Sequence, residues 1–228
     1  MFGQPLFADR ADAGRRLAAA LGHLEPADPL VLALPRGGVP VAFEVARALG
    51  AELDLLFVRK LGAPGHEEFG MGAVVDGAAP HVVLNEDVVR MLAPSREYLR
   101  AELRRQLAEI ERRRQAYLGD LAPVPVTGRT VIVVDDGIAT GGTVKAALQG
   151  LRRNRPARLV LAVPVAPAES LAELRGECDE LVCLAAPDPF YAVGAHYADF
   201  TQTSDAEVVA LLARAHEATD ASARADRT

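Results

Sequence analysis

The sequence predicts an α/β fold: a central, mainly parallel, twisted sheet flanked by helices, with an inserted long helix and a small hood region. Three observations predict it. Short apolar runs at 29–34, 131–134 and 158–165 are continuous rather than alternating, as in strands covered on both faces. Helical patterns separate these runs, the rhythm of βαβ units with right-handed crossovers. The chain has 228 residues, half of them apolar, enough for one domain with a full core. The expected division is a single domain over 1–217, with an insertion at about 73–118, a hood at about 185–200 and a frayed tail at 218–228.

Residues 11–24 carry Leu17, Ala18, Leu21 and Leu24 at helical spacing, with Asp12 as the expected N-cap. The strand at 29–34 is broken by Pro35-Arg36-Gly37-Gly38, and a helix at 41–49 ends at Gly50. Residues 52–58 form the next strand, at whose C-terminal edge Arg59 and Lys60 stand, the edge where open α/β sheets bind ligands. The stretch 61–72 is rich in Gly and charge and without period, so it reads as a mobile loop. A hairpin follows, its strands at 73–75 and 81–84 joined through Asp76-Gly77. Residues 95–118 make the long helix, with Leu99, Leu103, Leu107, Ile110 and Tyr117 as its apolar stripe. Its other faces set Arg100, Arg104, Arg105, Arg112, Arg113 and Arg114 against Glu97, Glu102, Glu109 and Glu111, the pattern of a solvated face. The stripe packs on the core, over the site as a cap, or on a second subunit, so a homodimer is one expected assembly. A strand at 158–165, a helix at 167–176 and a strand at 180–184 complete the sheet.

The most informative stretch is 130–145. Val131, Ile132, Val133 and Val134 form a buried strand ended by two acids, Asp135 and Asp136. The loop Gly137 to Thr143 follows, then a helix. A small-residue loop at a helix N-terminus turns several backbone N–H groups, and the positive end of the helix dipole, toward one point, so an anion such as phosphate binds there. Gly141 and Gly142 let it approach the backbone, and Thr140 and Thr143 add hydroxyl donors. Asp135 and Asp136 are placed to accept hydrogen bonds from a ribose diol. Arg36-Gly37-Gly38 repeats the physics at a second helix start and adds a cation. The loop is neither G-x-x-x-x-G-K-[ST] nor G-x-G-x-x-G, and the absence of the latter after the first strand disfavours a Rossmann dehydrogenase.

Four apolar residues, two acids and Ala139-Thr140-Gly141-Gly142-Thr143 resemble the PRPP-binding motif of the type I phosphoribosyltransferases. Leu-Pro-Arg-Gly-Gly, Val-Arg-Lys-x-Gly-Ala-Pro-Gly and the long inserted helix resemble a bacterial subgroup of predicted members. The resemblance implies the type I phosphoribosyltransferase fold and PRPP-dependent transfer of the 5-phosphoribosyl group to a nitrogen acceptor, a nucleobase, with diphosphate leaving. It implies ribose contacts at Asp135 and Asp136, a 5-phosphate loop at 139–143, and diphosphate contacts at Arg36, Gly37, Gly38, Arg59 and Lys60. It also implies a cis peptide at Pro35–Arg36, and a loop at 61–72 that closes over the substrate. Asp135, Asp136, Arg59, His66 and Glu67 are the expected catalytic residues, and the cofactor is Mg²⁺, reached by Asp135 and Asp136 mainly through ligand and water. The order Pro-Asp-x-Phe, Val-Gly, Asp-aromatic resembles the base-binding segment of the 6-oxopurine enzymes, which would make Phe190, with Tyr191 beside it, the base-binding pair. One position departs: where those enzymes carry an Asp acting on the base, this chain has Ala139, which accepts no proton, so His66 or Glu67 is expected to substitute.

A formal net charge of −6 gives no basic field for nucleic acid. Cys178 and Cys183 lie five apart with no second pair, which suits buried thiols in a reducing cytosol rather than a zinc site. The N-terminus shows no signal peptide and no apolar run approaches a membrane span, so the expected location is cytoplasmic, without membrane partners. The expected partners are PRPP and a small base or nucleotide. The competing function is a non-catalytic PRPP- or nucleotide-binding regulatory protein on the same fold.

Overall fold

Five strands pair in parallel in the order β2 (Glu52–Leu55), β1 (Leu30–Ala33), β6 (Thr130–Val134), β7 (Arg158–Val165) and β8 (Glu180–Ala185). The structure is a computed structural model that describes residues 4–77 and 80–225, without the side chains of 66–69 and 220–225. The expected central sheet is therefore wholly parallel. Successive side chains on a strand point to opposite faces, and the core divides accordingly. Val31, Ala33, Ile132, Val134, Val160 and Ala162 pack in one cluster with α1 (Arg10–Leu21), α2 (Gly38–Leu49) and α7 (Asp205–Ala225). Leu30, Leu32, Val131, Val133, Leu159 and Leu161 pack in the other with α5 (Gly142–Arg153) and α6 (Ala168–Leu174). Each fully buried aliphatic side chain contributes about 1.5–3 kcal/mol, so the two faces carry the stability of the sheet.

β1 leads outward to β2, whereas β6 leads the opposite way to β7 and β8. The order therefore reverses between β1 and β6, and a crevice opens there beyond the strands' C-terminal ends. The loops leaving these two strands carry the two motifs that the sequence singles out.

A second, antiparallel sheet contains β3 (Val58–Ala63), β4 (His66–Val75) and β5 (His81–Leu84). A short helix, α3 (Glu86–Leu92), leads from β5 to the long helix α4 (Arg96–Leu118). The β4–β5 hairpin was expected, but residues 61–72 are not a loop. They are the facing arms of the β3–β4 hairpin, closed at Pro64-Gly65, with Gly65 at φ +74°, the sign that a type II turn demands at its third residue. Their register shifts around Gly62, and α4 secures that irregularity. The Gly62 N–H donates to Glu102 at 3.2 Å, and its carbonyl accepts from the Tyr98 hydroxyl at 3.0 Å.

The helix boundaries follow their caps. Asp9, not Asp12, caps α1 and accepts from the Asp12 N–H at 2.7 Å, while the Asp12 carboxylate accepts from the Ala8 N–H at 3.1 Å. Asp12 thus serves as the returning half of a reciprocal cap. Ser95 caps α4, and Gly50 ends α2 as expected, in the left-handed conformation. Helix α4 packs on the core, but Glu102 and Arg114, expected on its solvated face, are buried with Gln106, Ile110 and Leu118 at four-residue spacing. The Arg114 guanidinium donates to Asp76 at 2.9 Å and to both oxygens of Asp54 at 3.3 Å, an ion-paired triad that ties α4 to the ends of β2 and β4. α7 continues past Glu217 to Ala225, where a frayed tail was expected. Cys178 and Cys183 are unbridged and half-buried. No helix among the described residues is long and apolar enough to cross a membrane.

Candidate functional site

The loop after β1 makes a non-proline cis peptide at Pro35–Arg36, as the motif suggested, and α2 starts directly behind it. Gly37 and Gly38 are there because two carboxylates lie against them. A Cβ on Gly37 would meet Asp136 Oδ2 at 2.1 Å, and one on Gly38 would meet the Val134 carbonyl at 2.8 Å and Asp135 Oδ1 at 3.2 Å. Any larger residue would displace the acids. Two loops a hundred positions apart in sequence thereby form one surface at the strand-order reversal.

On the β6 side, Asp135 Oδ1 accepts from the Asp136 N–H at 2.9 Å. Burial first, and the neighbouring Asp136 charge second, push the Asp135 carboxyl well above the usual carboxylate range. Burial also raises Asp136, but Arg10 opposes that rise through a 2.8 Å ion pair from its Nε to Asp136 Oδ2. The Ile138 N–H donates to the Val165 carbonyl at 2.9 Å, and Ser170 of α6 donates to the Ala139 carbonyl at 2.9 Å, which fixes the loop's path. Gly141, at φ +74°, is the N-cap of α5, and no side chain caps the helix. Ala139, Thr140, Gly142 and Thr143 are exposed or half-exposed, and a Cβ on Gly142 would meet nothing within 4 Å. The start of α5 is therefore open, and the first N–H groups of a helix are unpaired donors of the kind that can take a phosphate.

Arg36 borders a cleft of about 250 Å³ lined also by Arg112, Arg113, Ala116 and Tyr117 of α4 and by Asp205 of α7. Arg36 Nη1 lies 3.4 Å from Asp205 Oδ1, which also accepts from the Tyr117 hydroxyl at 2.7 Å. Arg112 and Arg113 both bond Glu109 and pull its carboxyl down to about 2. Arg59 and Lys60 are not together at a parallel strand's edge. They are consecutive on β3, so they face opposite ways. Arg59 donates to Gln106 of α4 at 3.0 Å, and Lys60 is exposed. The side chains of His66 and Glu67 lie outside the described residues; their backbone opens β4 at the hairpin's tip.

In the hood, Phe190 is half-buried with its ring tilted 34° against His196 at 5.1 Å, while Tyr191 is 71% exposed. Tyr197 and Phe200 come closer to the acids. The Tyr197 hydroxyl donates to the Asp136 carbonyl at 2.5 Å, and the Arg10 guanidinium carbon lies over Phe200, 3.9 Å from the ring centroid. Arg10, Ser170, Tyr197 and Phe200 are the site neighbours that sequence reasoning did not assign. The aromatic clustering at 190–200 held a signal for Tyr197 and Phe200, whereas nothing around Arg10 marks it. Among the described residues no three His, Cys, Asp or Glu side chains cluster as a metal cage. Two adjacent carboxylates fit the way Mg²⁺ is usually held, by one or two protein carboxylates together with ligand phosphates and water.

A family model described as "Phosphoribosyl transferase domain" matches residues 8–199. A protein of Mycobacterium tuberculosis (strain H37Rv), provisionally named a phosphoribosyl transferase, is 51% identical over 211 residues, 92% of this chain and 47% of its own length. The chain thus spans about half the length of the curated relatives it matches. The crystal structure of TT1426 from Thermus thermophilus is similar with a TM-score of 0.80 at 44% identity, covering 91% of this chain and 98% of that one. A shorter stretch of 42 residues, 18% of this chain, is 52% identical to the bifunctional protein PyrR of Chloroflexus aurantiacus.

Proposed function

The chain belongs to the phosphoribosyl transferase family, and on that premise we propose that it transfers the 5-phosphoribosyl group of PRPP to a ring nitrogen of a nucleobase and releases diphosphate. The observation that carries this reading is the contact of Gly37 and Gly38 with Asp136 and Asp135 at the reversal of strand order. It sets an anion-binding helix start on each side of a carboxylate pair. The 5-phosphate binds the N–H groups opening α5, with Thr140 and Thr143 as added donors. The ribose hydroxyls donate to Asp135 and Asp136. The diphosphate lies over the Pro35–Arg36 turn, with Arg36 as counter-charge and Arg59 and Lys60 at the β3–β4 hairpin as further cations.

In the reaction the bond from the anomeric carbon to the diphosphate oxygen breaks, and the electron pair leaves with the diphosphate. The acceptor nitrogen then bonds to that carbon and gives up its proton. Positive charge grows on the ribose as the bond stretches, and the paired carboxylates lie on the ribose side to stabilise it. Asp135 and Asp136, mainly through ligand and water, would hold a Mg²⁺ ion, which would supply charge neutralisation for the leaving group. Ala139 cannot take the acceptor's proton, which leaves His66 and Glu67 at the hairpin tip as bases. Phe190 and Tyr191 offer rings against which a base can stack.

The test is diphosphate release from PRPP and Mg²⁺ with a panel of nucleobases, repeated with EDTA and with His66→Ala and Glu67→Ala. Base-dependent release that EDTA abolishes is the expected result. Saturable PRPP binding with no turnover on any base would support the regulatory reading, with which Ala139 is compatible. No PRPP binding at all would overturn the transferase reading.

A further inference from the structure

Arg10 reaches the centre of the site from the far end of the sequence, 126 residues before Asp136. Its Nε donates to Asp136 Oδ2 at 2.8 Å, its Nη1 donates to the Thr201 carbonyl at 2.8 Å, and its guanidinium lies over the Phe200 ring. The side chains of Arg10 and Asp136 are only 11% and 14% exposed. A planar guanidinium with fixed donor directions and an aromatic platform beneath it is preorganised. Arg10 is also the first residue of α1, whose start is set by the reciprocal Asp9–Asp12 cap.

The Asp136 carboxylate is consequently held on one edge. Oδ2 lies against Gly37 and bonds Arg10, while Oδ1 meets no donor from another described residue. We infer that Arg10 is a positioning residue: by gripping Oδ2 it turns Oδ1 toward the sugar, and through Phe200 and Thr201 it couples the hood to the ribose contact. This rests on the phosphoribosyl reading above and adds to it a residue outside the loops that touch the ligand. The alternative, in which Arg10 blocks Asp136 and must be displaced by the sugar, predicts the opposite sign.

Calorimetric titrations of PRPP, ribose 5-phosphate and inorganic diphosphate into the wild type, Arg10→Met, Arg10→Lys and the helix control Arg15→Met test it. A positioning role requires a loss confined to ligands that carry the sugar. Arg10→Met should weaken PRPP and ribose 5-phosphate by about tenfold or more, the size expected when a charge-assisted hydrogen bond is lost. Diphosphate affinity should stay unchanged, since its proposed contacts lie in the Arg36 turn and on the β3–β4 hairpin. Arg10→Lys should recover part of the loss, and Arg15→Met should match the wild type. A merely structural arginine would instead weaken all three ligands in parallel with a fall in melting temperature, which overturns the inference. Unchanged or tighter PRPP binding by Arg10→Met also overturns it. If Arg10→Met does not fold, Arg10→Lys decides, because wild-type affinity for both sugar ligands in that variant defeats the inference. Failure of the wild type itself to bind PRPP removes the phosphoribosyl reading, a result separable from wild-type binding that the Arg10 variants leave intact.

Discussion

Asp136 lies between the backbone of Gly37 and the guanidinium of Arg10. A single methyl on Gly37 must displace the carboxylate. Gly37→Ala should therefore cost about 1–3 kcal/mol of stability, the usual penalty for overpacking, and abolish measurable PRPP binding, as read by urea denaturation and calorimetry. Asp135 makes a prediction of opposite sign. Its folded pKa is raised, by burial and then by Asp136, so the folded state holds that proton more tightly than the unfolded chain does. Stability falls as pH climbs from the unfolded carboxylate value of about 4 toward the raised folded value. Asp135→Asn removes that decline, and thermal unfolding at neutral pH should show a higher melting temperature together with a loss of PRPP binding. The acids and glycines were legible in sequence because the chemistry of the two loops is local. Arg10 was not, because an ion pair spanning more than half the chain leaves no pattern around either partner.

Among the elements, the central parallel strands β1, β6 and β7 were the easiest to foresee, since continuous apolar runs buried on both faces leave no alternation to confuse them. The β3–β4 hairpin was missed for a physical reason. Its strands are dense in Gly and charge, and the irregularity in their register is held by α4, whose Glu102 and Tyr98 satisfy both backbone groups of Gly62. The buried polar row of α4 was hidden in the same way, because Glu102, Gln106 and Arg114 look solvated until their partners are known. Arg114 faces Asp54 and Asp76, and burial raises Asp76 even though Arg114 pulls it down. Arg114→Met leaves two buried carboxylates without a counter-ion and should cost about 3–5 kcal/mol, read by urea denaturation at pH 7. Lower pH should narrow the deficit, because protonation relieves the unpaired charge.

At the scale of the whole molecule, the segment before α1 packs against Tyr197, whose hydroxyl bonds the Asp136 carbonyl. Phe7 is 4% exposed, pairs with Tyr197 through an isolated bridge, and has its ring 5.3 Å from the Tyr197 ring. Phe7→Ala should cost about 3–5 kcal/mol if the cavity does not collapse. It should also speed hydrogen exchange at 193–201 more than in the central sheet, since the hood would lose its backing while the two cores stay intact.

The crevice at the strand reversal draws on residues 10, 36–38, 135–143 and 197–201, so it has an order of completion in time. During synthesis, the Pro35–Arg36 turn emerges with β1 and α2 and waits through the second sheet and α4 for its acids. The anchor for Arg10 comes later still, after β8. A ligand can therefore neither nucleate this fold nor rescue a stalled half of it; it stabilises only a chain already closed.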